Sequence, residues 1–288
     1  MKFYQYSDEN TGDKLIACES YDKKIYKLDL PDIKNTLDLF SDNGELIKIH
    51  EENLVFLSEN YNEFLKTPIK LLPPIDSPET WAFGVTYMDS MKERQAESES
   101  PDVYDKVYNA ERPESFFKAT YERLVAPGGN VGIRGDSEWN VPEPELTFFV
   151  CKKKIVGFTV GNDMSSRSIE GENPLYLPQA KVYSKSASFG PAFVPTKFIN
   201  DHQNLSVEMK IFRNNSEVFS GKCNTSQMKR NCNYLLDWLL RHNDIIDGTA
   251  VMTGTGIIPP PEFTLMPSDK ILISIENIGT LENEVIIV

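Results

Sequence analysis

The stretch VPEPEL sets Glu143 and Glu145 two residues apart, directly before the apolar run 146–150. In a strand, residues two apart share a face, so the two carboxylates stand side by side. Burying both unpaired costs several kcal/mol each. Pro142 and Pro144 share one parity, so their missing N–H groups face the same neighbour, which must be an open edge, a bulge or a strand entrance. A solvated edge with two surface carboxylates satisfies this pattern. So does a buried site that holds a cation.

The sequence that follows favours the second reading. ELTFFV and KIVGFTVG flank the residues 151–154, which read as a hairpin turn. Pairing Val150 with Ile155 sets Glu143 opposite Asn162, with Asp163 one step beyond. Strict alternation would turn Asp163 to the other face, so a bulge or loop is expected to begin there. Glu143, Glu145 and Asp163 then gather at one end of the hairpin. Three carboxylates without histidine or cysteine are a hard, oxygen-only donor set, suited to Mg²⁺ or Mn²⁺ and not to structural Zn²⁺.

The chain bounds what such a site serves. It has 288 residues, 40% hydrophobic and 25% charged, the composition of a soluble globular protein of one or two domains. A net charge of −13 argues against a nucleic-acid partner. No apolar run approaches the length of a membrane span, and the N-terminus turns polar too early for a secretory signal. Cys18, Cys151, Cys223 and Cys232 form no CxxC pair, so free thiols in the cytoplasm are expected.

Residues 1–72 read as a small N-terminal domain of short strands and one short helix in DIKNTLDLFSD. The proline-rich LLPPIDSP marks the boundary with a larger domain, 73–288, which carries the acidic site. Beyond it, strand-like runs dominate. Segment 226–241 is the clearest helix, with Met228, Cys232, Leu235, Leu236 and Leu239 on one face and Thr225 or Ser226 as N-cap. Many strands with few long helices predict an α+β fold, mainly β. GGNVGIRG lacks the strand-to-helix setting of a dinucleotide loop and reads as a glycine turn.

The order VPEPELTFFV, GFTVGNDMSSRS, QAKVY, SFGPAFV and DGTAVMTGTG resembles the fumarylacetoacetate hydrolase family. The resemblance implies a mixed β-roll with a small N-terminal α/β domain, a homodimer or homotetramer, and Glu143, Glu145 and Asp163 as ligands of Mg²⁺. Hydrolases of this family carry a histidine three residues after a tyrosine. Here Tyr87 is followed by Ser90, which is no general base near neutral pH without a partner. RPESFFKAT, DSEWNVPEPEL and EGENPLYLPQAKVY resemble instead the 2-keto-3-deoxy sugar-acid dehydratases of the family.

That resemblance implies dehydration of 2-keto-3-deoxy-D-arabinonate, the same compound as its xylonate counterpart, to 2,5-dioxopentanoate. A C3 proton is removed and the C4 hydroxyl leaves. Glu114 and Lys181 are implied as the acid/base pair, with Lys181 a base only if its pKa is lowered. Lys118, Arg167 and Thr255 are the candidates for binding the anionic 2-keto acid. Arg167 equally suits a pair with Asp163 or Glu170, and Thr255 equally suits fixing a turn. Asn173, Tyr176 and Gln179 lie in a stretch that reads as a loop over the site. A hydrolase or decarboxylase of acylpyruvate- or oxaloacetate-like acids is the alternative activity, and a silent ligand-binding member is a third.

Overall fold

Runs rich in Val, Ile, Phe and Thr make the chain mainly β. The computed structural model describes residues 1–97 and 102–288. The N-terminal part supplies β1 (Lys2–Asp8), β2 (Lys14–Glu19), β3 (Ile25–Leu28), β4 (Leu54–Ser58), helix α1 (Tyr61–Phe64) and β5 (Ile69–Leu71). The helix expected in DIKNTLDLFSD is a single 3-10 turn, Thr36–Leu39, closed by reciprocal capping between Asn35 and Asp38. Then come β6 (Glu79–Gly84), α2 (Met88–Glu97), α3 (Asp102–Asn109), β7 (Glu114–Thr120), β8 (Leu124–Val125) and β9 (Asn130–Ile133). The central hairpin is β10 (Asn140–Cys151) and β11 (Lys154–Ser166), followed by α4 (Arg167–Glu172), α5 (Leu177–Lys181) and β12 (Ala187–Pro195). β13 (Ser206–Arg213), β14 (Ser216–Asn224), α6 (Cys232–Leu239), β15 (Ala250–Met252), β16 (Lys270–Ile275) and β17 (Gly279–Ile287) complete the fold.

Two mixed sheets result. The larger runs β4-β3-β2-β1-β12-β11-β10-β15-β6-β7, and the smaller runs β14-β13-β16-β17-β9. β1 joins the larger sheet by pairing with β12 at Phe3 and Phe193. Phe3, Ile16 and Cys18 share one apolar cluster with Phe149, Phe189 and Phe193. The main core lies where Phe148, Phe158 and Val160 meet Met209, Ile271, Leu281 and the Leu235–Leu236 face of α6. All four cysteines are free.

β10 is buried at every residue. It closes on β11 through a two-residue turn in which Lys152 (φ 50°) and Lys153 (φ 60°) are both left-handed, as a twisted hairpin demands. Val150 pairs with Ile155 as expected, but the bulge lies beside the turn: Phe149 already pairs with Gly157, leaving Val156 as the extra residue. This corrects the register expected from strict alternation. Glu143 lies opposite Asp163, not Asn162, and β11 runs through Asp163 without interruption. One inserted residue therefore brings all three carboxylates to one face. On the other side, β15 pairs with Thr147–Phe149, so among the described residues the proline edge of β10 meets no strand.

The expected helix 226–241 is shorter. Residues 225–227 form a 3-10 turn, and α6 begins at Cys232 with Asn231 as its cap, accepting from the Tyr234 N–H. Met228 is instead drawn into a bridge with Tyr87.

Candidate active site

The Glu143, Glu145 and Asp163 side chains each offer an oxygen within 4.8 Å of the others'. They are 4%, 2% and 1% exposed. Each is held differently. Glu143 receives Arg94 Nη2 at 2.7 Å and Lys181 Nζ at 2.7 Å, with Arg167 Nη2 at 3.6 Å. Asp163 receives Lys118 Nζ at 2.6 Å and Lys181 Nζ at 3.2 Å. Glu145 accepts the Gly254 N–H at 2.7 Å. Gly254 has φ +90°, where a Cβ would strike Thr86 and the Phe83 carbonyl, so the backbone comes this close only as glycine.

Those surroundings split the carboxylates electrostatically. Burial would raise Glu143, but Lys181, Arg94 and Arg167 hold it well below the usual carboxylate range. Burial, Asp163 and Glu143 push Glu145 well above it. The charge that remains uncompensated at Glu145, among hard oxygen donors on one face, is what a divalent cation offsets. The residues fit Mg²⁺.

The cluster forms one wall of a pocket with about 310 Å³ of empty space, shared with Glu114, Lys181, Arg94, Glu170 and Thr255. Lys181, at the last position of α5, also donates to Ser165 Oγ at 2.6 Å. Burial would lower its pKa, but Asp163, Glu143 and Glu170 keep it above the ordinary lysine value. Glu114 starts β7 opposite Gly84. Burial first, then Glu170, lift its pKa to about 7. The Glu114 carboxyl lies in the space a Cβ on Gly84 would fill, with its Cδ 3.0 Å from that position. Gly84→Ala should therefore displace Glu114 and lower turnover by about 10²-fold, with the fold and Mg²⁺ affinity kept. Steady-state kinetics beside a Mg²⁺ titration check this, and normal turnover would refute it.

The other candidates sit around this core. Lys118 is wholly buried behind Asp163, donating to the Met164 carbonyl at 2.9 Å and to the Lys181 carbonyl. Arg167 is also buried, beside Glu143. Thr255 lines the pocket while its hydroxyl exchanges bonds with the Ile257 backbone at 3.2 Å. Ser90 lines the pocket from α2, and among the described residues no histidine does. ENPLYLPQ is not a plain loop: Pro174–Tyr176 form a 3-10 turn capped by Asn173 and lead straight into α5. Leu177, and not Asn173, Tyr176 or Gln179, reaches the pocket.

Sequence reasoning missed Arg94 and the active-site place of Glu170. Arg94 pairs with Glu143 and, through Nη1, with Glu170 Oε2, tying α2 to β10 and α4. The available signal was its spacing, four residues after Ser90 and so on the same helical face.

Residues 79–286 match the model of the fumarylacetoacetate hydrolase C-terminal domain. A probable 2-keto-3-deoxyxylonate dehydratase of Haloferax volcanii is 50% identical over 212 residues, 74% of this chain and 73% of that protein. The 2-dehydro-3-deoxy-D-arabinonate dehydratase of Saccharolobus solfataricus is 39% identical over 265 residues, 83% of this chain and 89% of that protein. A solved 2-keto-3-deoxy-D-arabinonate dehydratase, complexed with magnesium and 2,5-dioxopentanoate, superposes with a TM-score of 0.86 at 36% identity, covering 100% of this chain and 99% of that one. With its acidic hairpin, its fold and these matches, the chain belongs to the fumarylacetoacetate hydrolase family.

Proposed function

We propose that the protein is a Mg²⁺-dependent hydro-lyase that dehydrates 2-keto-3-deoxy-D-arabinonate to 2,5-dioxopentanoate. The observation that carries this reading is the placement of Lys181 and Glu114 in one pocket with the acidic triad, in a chain 39% identical to a dehydratase of that substrate. Glu143, Glu145 and Asp163 hold the metal, which supplies Lewis-acid charge to a bound 2-keto acid. Lys181 takes the C3 proton: a cation held by Glu143 and Asp163 would offset the carboxylates that otherwise keep its pKa up. Glu114, its carboxyl kept protonated up to about pH 7, gives its proton to the departing C4 hydroxyl, which leaves as water. The C3=C4 double bond left behind moves to C4=C5 as a C5 proton is lost and C3 is reprotonated, and the resulting enol tautomerises to the C5 aldehyde.

Lys118 and Arg167 act in this reading by holding Asp163 and Glu143 in place and by keeping the pocket positive enough for an anionic acid. Thr255 offers its hydroxyl at the pocket wall. The reading includes a homo-oligomer, residence in the cytoplasm and a functional division at residues 72–73. Among the described residues no helix is long and apolar enough to cross a membrane.

The decisive assay mixes the protein, Mg²⁺ and the 3-deoxy pentonate and looks for the semialdehyde by NMR. Pyruvate released from an acylpyruvate, without semialdehyde, would support the hydrolase instead. The pH profile adds a second expectation. An acid must be protonated, so turnover should fall as pH rises through about 7, and Glu114→Gln should erase that limb. Turnover that climbs steadily through that range would make Glu114 the base.

A further inference from the structure

Glu114 is the first residue of its strand, so the β6 ladder secures it from one side only. Chain ends of strands open most readily, and a displaced acid is costly to a reaction. Something must hold the residues that precede it. Those residues, 107–113, link the end of α3 to β7. The last carbonyls of a helix have no intrahelical partner, and here they are taken up by side chains from the lead-in to α6.

Arg230 is nine-tenths buried and directs Nη2 at three of these carbonyls: Val107 at 3.2 Å, Tyr108 at 3.0 Å, and Ala110. Lys229 Nζ donates to the Tyr108 carbonyl at 2.8 Å and to Asn109 Oδ1 at 2.9 Å, over the Tyr108 ring. Tyr234 Oη donates to the Glu111 carbonyl at 2.6 Å, and the Arg112 guanidinium stacks on Trp238. Two cations at a helix C-terminus also suit its dipole. The same lead-in grips the start of α2. Lys229 N–H donates to the Thr86 carbonyl at 3.0 Å, and Met228 bridges to Tyr87. α3 in turn packs Tyr104 and Tyr108 against Val85 and Met91.

We infer that Arg230, supported by Lys229 and Tyr234, is a positioning residue for the dehydration: it fixes the approach to β7 and so sets where the Glu114 carboxyl stands in the pocket. It does not line the pocket. Its role rests on the reaction proposed above, and it separates from that reading by measurement.

The test compares Arg230→Met, Arg230→Lys and Tyr234→Phe in the full-length protein, each with and without Glu114→Gln. Arg230→Met should lower kcat by about 10- to 100-fold with KM and Mg²⁺ affinity within about threefold of the unaltered enzyme. Arg230→Lys should recover part of the loss, and Tyr234→Phe, the mildest change, should shift kcat the same way by less. Amide hydrogen exchange should quicken in residues 102–113 and not across the core. In the Glu114→Gln background, Arg230→Met should cost less than about threefold, because the acid it positions is already gone. The same full loss in both backgrounds, or unchanged exchange in 102–113, overturns the proposal. Should Arg230→Met fail to fold, Tyr234→Phe with normal kcat and normal exchange overturns it instead. An unaltered protein without dehydratase activity overturns the reaction, and the exchange experiment still decides the clamp.

Discussion

Lys181→Met is expected to lower dehydration turnover by about 10²- to 10⁴-fold while the protein continues to bind Mg²⁺. Methionine keeps the length and apolar stem of lysine but removes the ammonium that bonds Glu143, Asp163 and Ser165 together. The triad survives the loss, because Glu143 keeps Arg94 and Asp163 keeps Lys118. Mg²⁺ affinity should be unchanged or tighter, since the ammonium that shares Glu143 and Asp163 with the cation is gone. The distinguishing readout is exchange of the substrate C3 protons with solvent. Lys181→Met should abolish it, whereas Glu114→Gln should retain it and slow loss of the C4 hydroxyl to a measurable residual rate. Near-normal turnover in Lys181→Met would reassign proton removal to Glu114.

What the sequence disclosed, and where it stopped, follows from how each feature is encoded. The hairpin was legible because ELTFFV and KIVGFTVG are strand-forming runs around a short polar turn, and the acidic triad was legible because its residue types are unusual beside such runs. The register was not. It turns on the single extra residue Val156, which nothing in an apolar strand distinguishes from its neighbours. The start of α6 was misjudged because Met228 fits the helical face as well as it fits the bridge to Tyr87, and only the tertiary partner decides. Arg94 was missed for a related reason. Its spacing from Ser90 placed it on the right helical face, but its value lies in reaching Glu143 on β10 and Glu170 on α4, contacts remote in sequence. Lys118 was picked out as a group for binding the anionic acid. Only the fold puts it behind Asp163, wholly buried, and not in the pocket wall.

Glu145→Gln is expected to erase the stabilisation of the protein by Mg²⁺. A cation that binds only the folded state adds about 2.7 kcal/mol at a concentration one hundred times its Kd, and this increment should appear as a raised Tm in the unaltered protein. Glutamine preserves the shape of Glu145 and can still accept the Gly254 N–H, so the loop around Gly254 has no cause to move. What disappears is the negative charge that burial and the Asp163 and Glu143 carboxylates oppose. The sign of the pH effect follows. A carboxyl whose folded pKa is raised contributes stability that is fully present below its unfolded value of about 4.5 and is lost as pH rises through the folded value. Without metal, the unaltered protein should therefore lose stability relative to Glu145→Gln as pH rises above the ordinary carboxylate range. With Mg²⁺ the order should reverse, because the ionised Glu145 then faces a cation. Thermal unfolding of both proteins across pH, with and without Mg²⁺, measures both effects. An equal Mg²⁺-dependent rise in Tm for Glu145→Gln would remove Glu145 from the metal site.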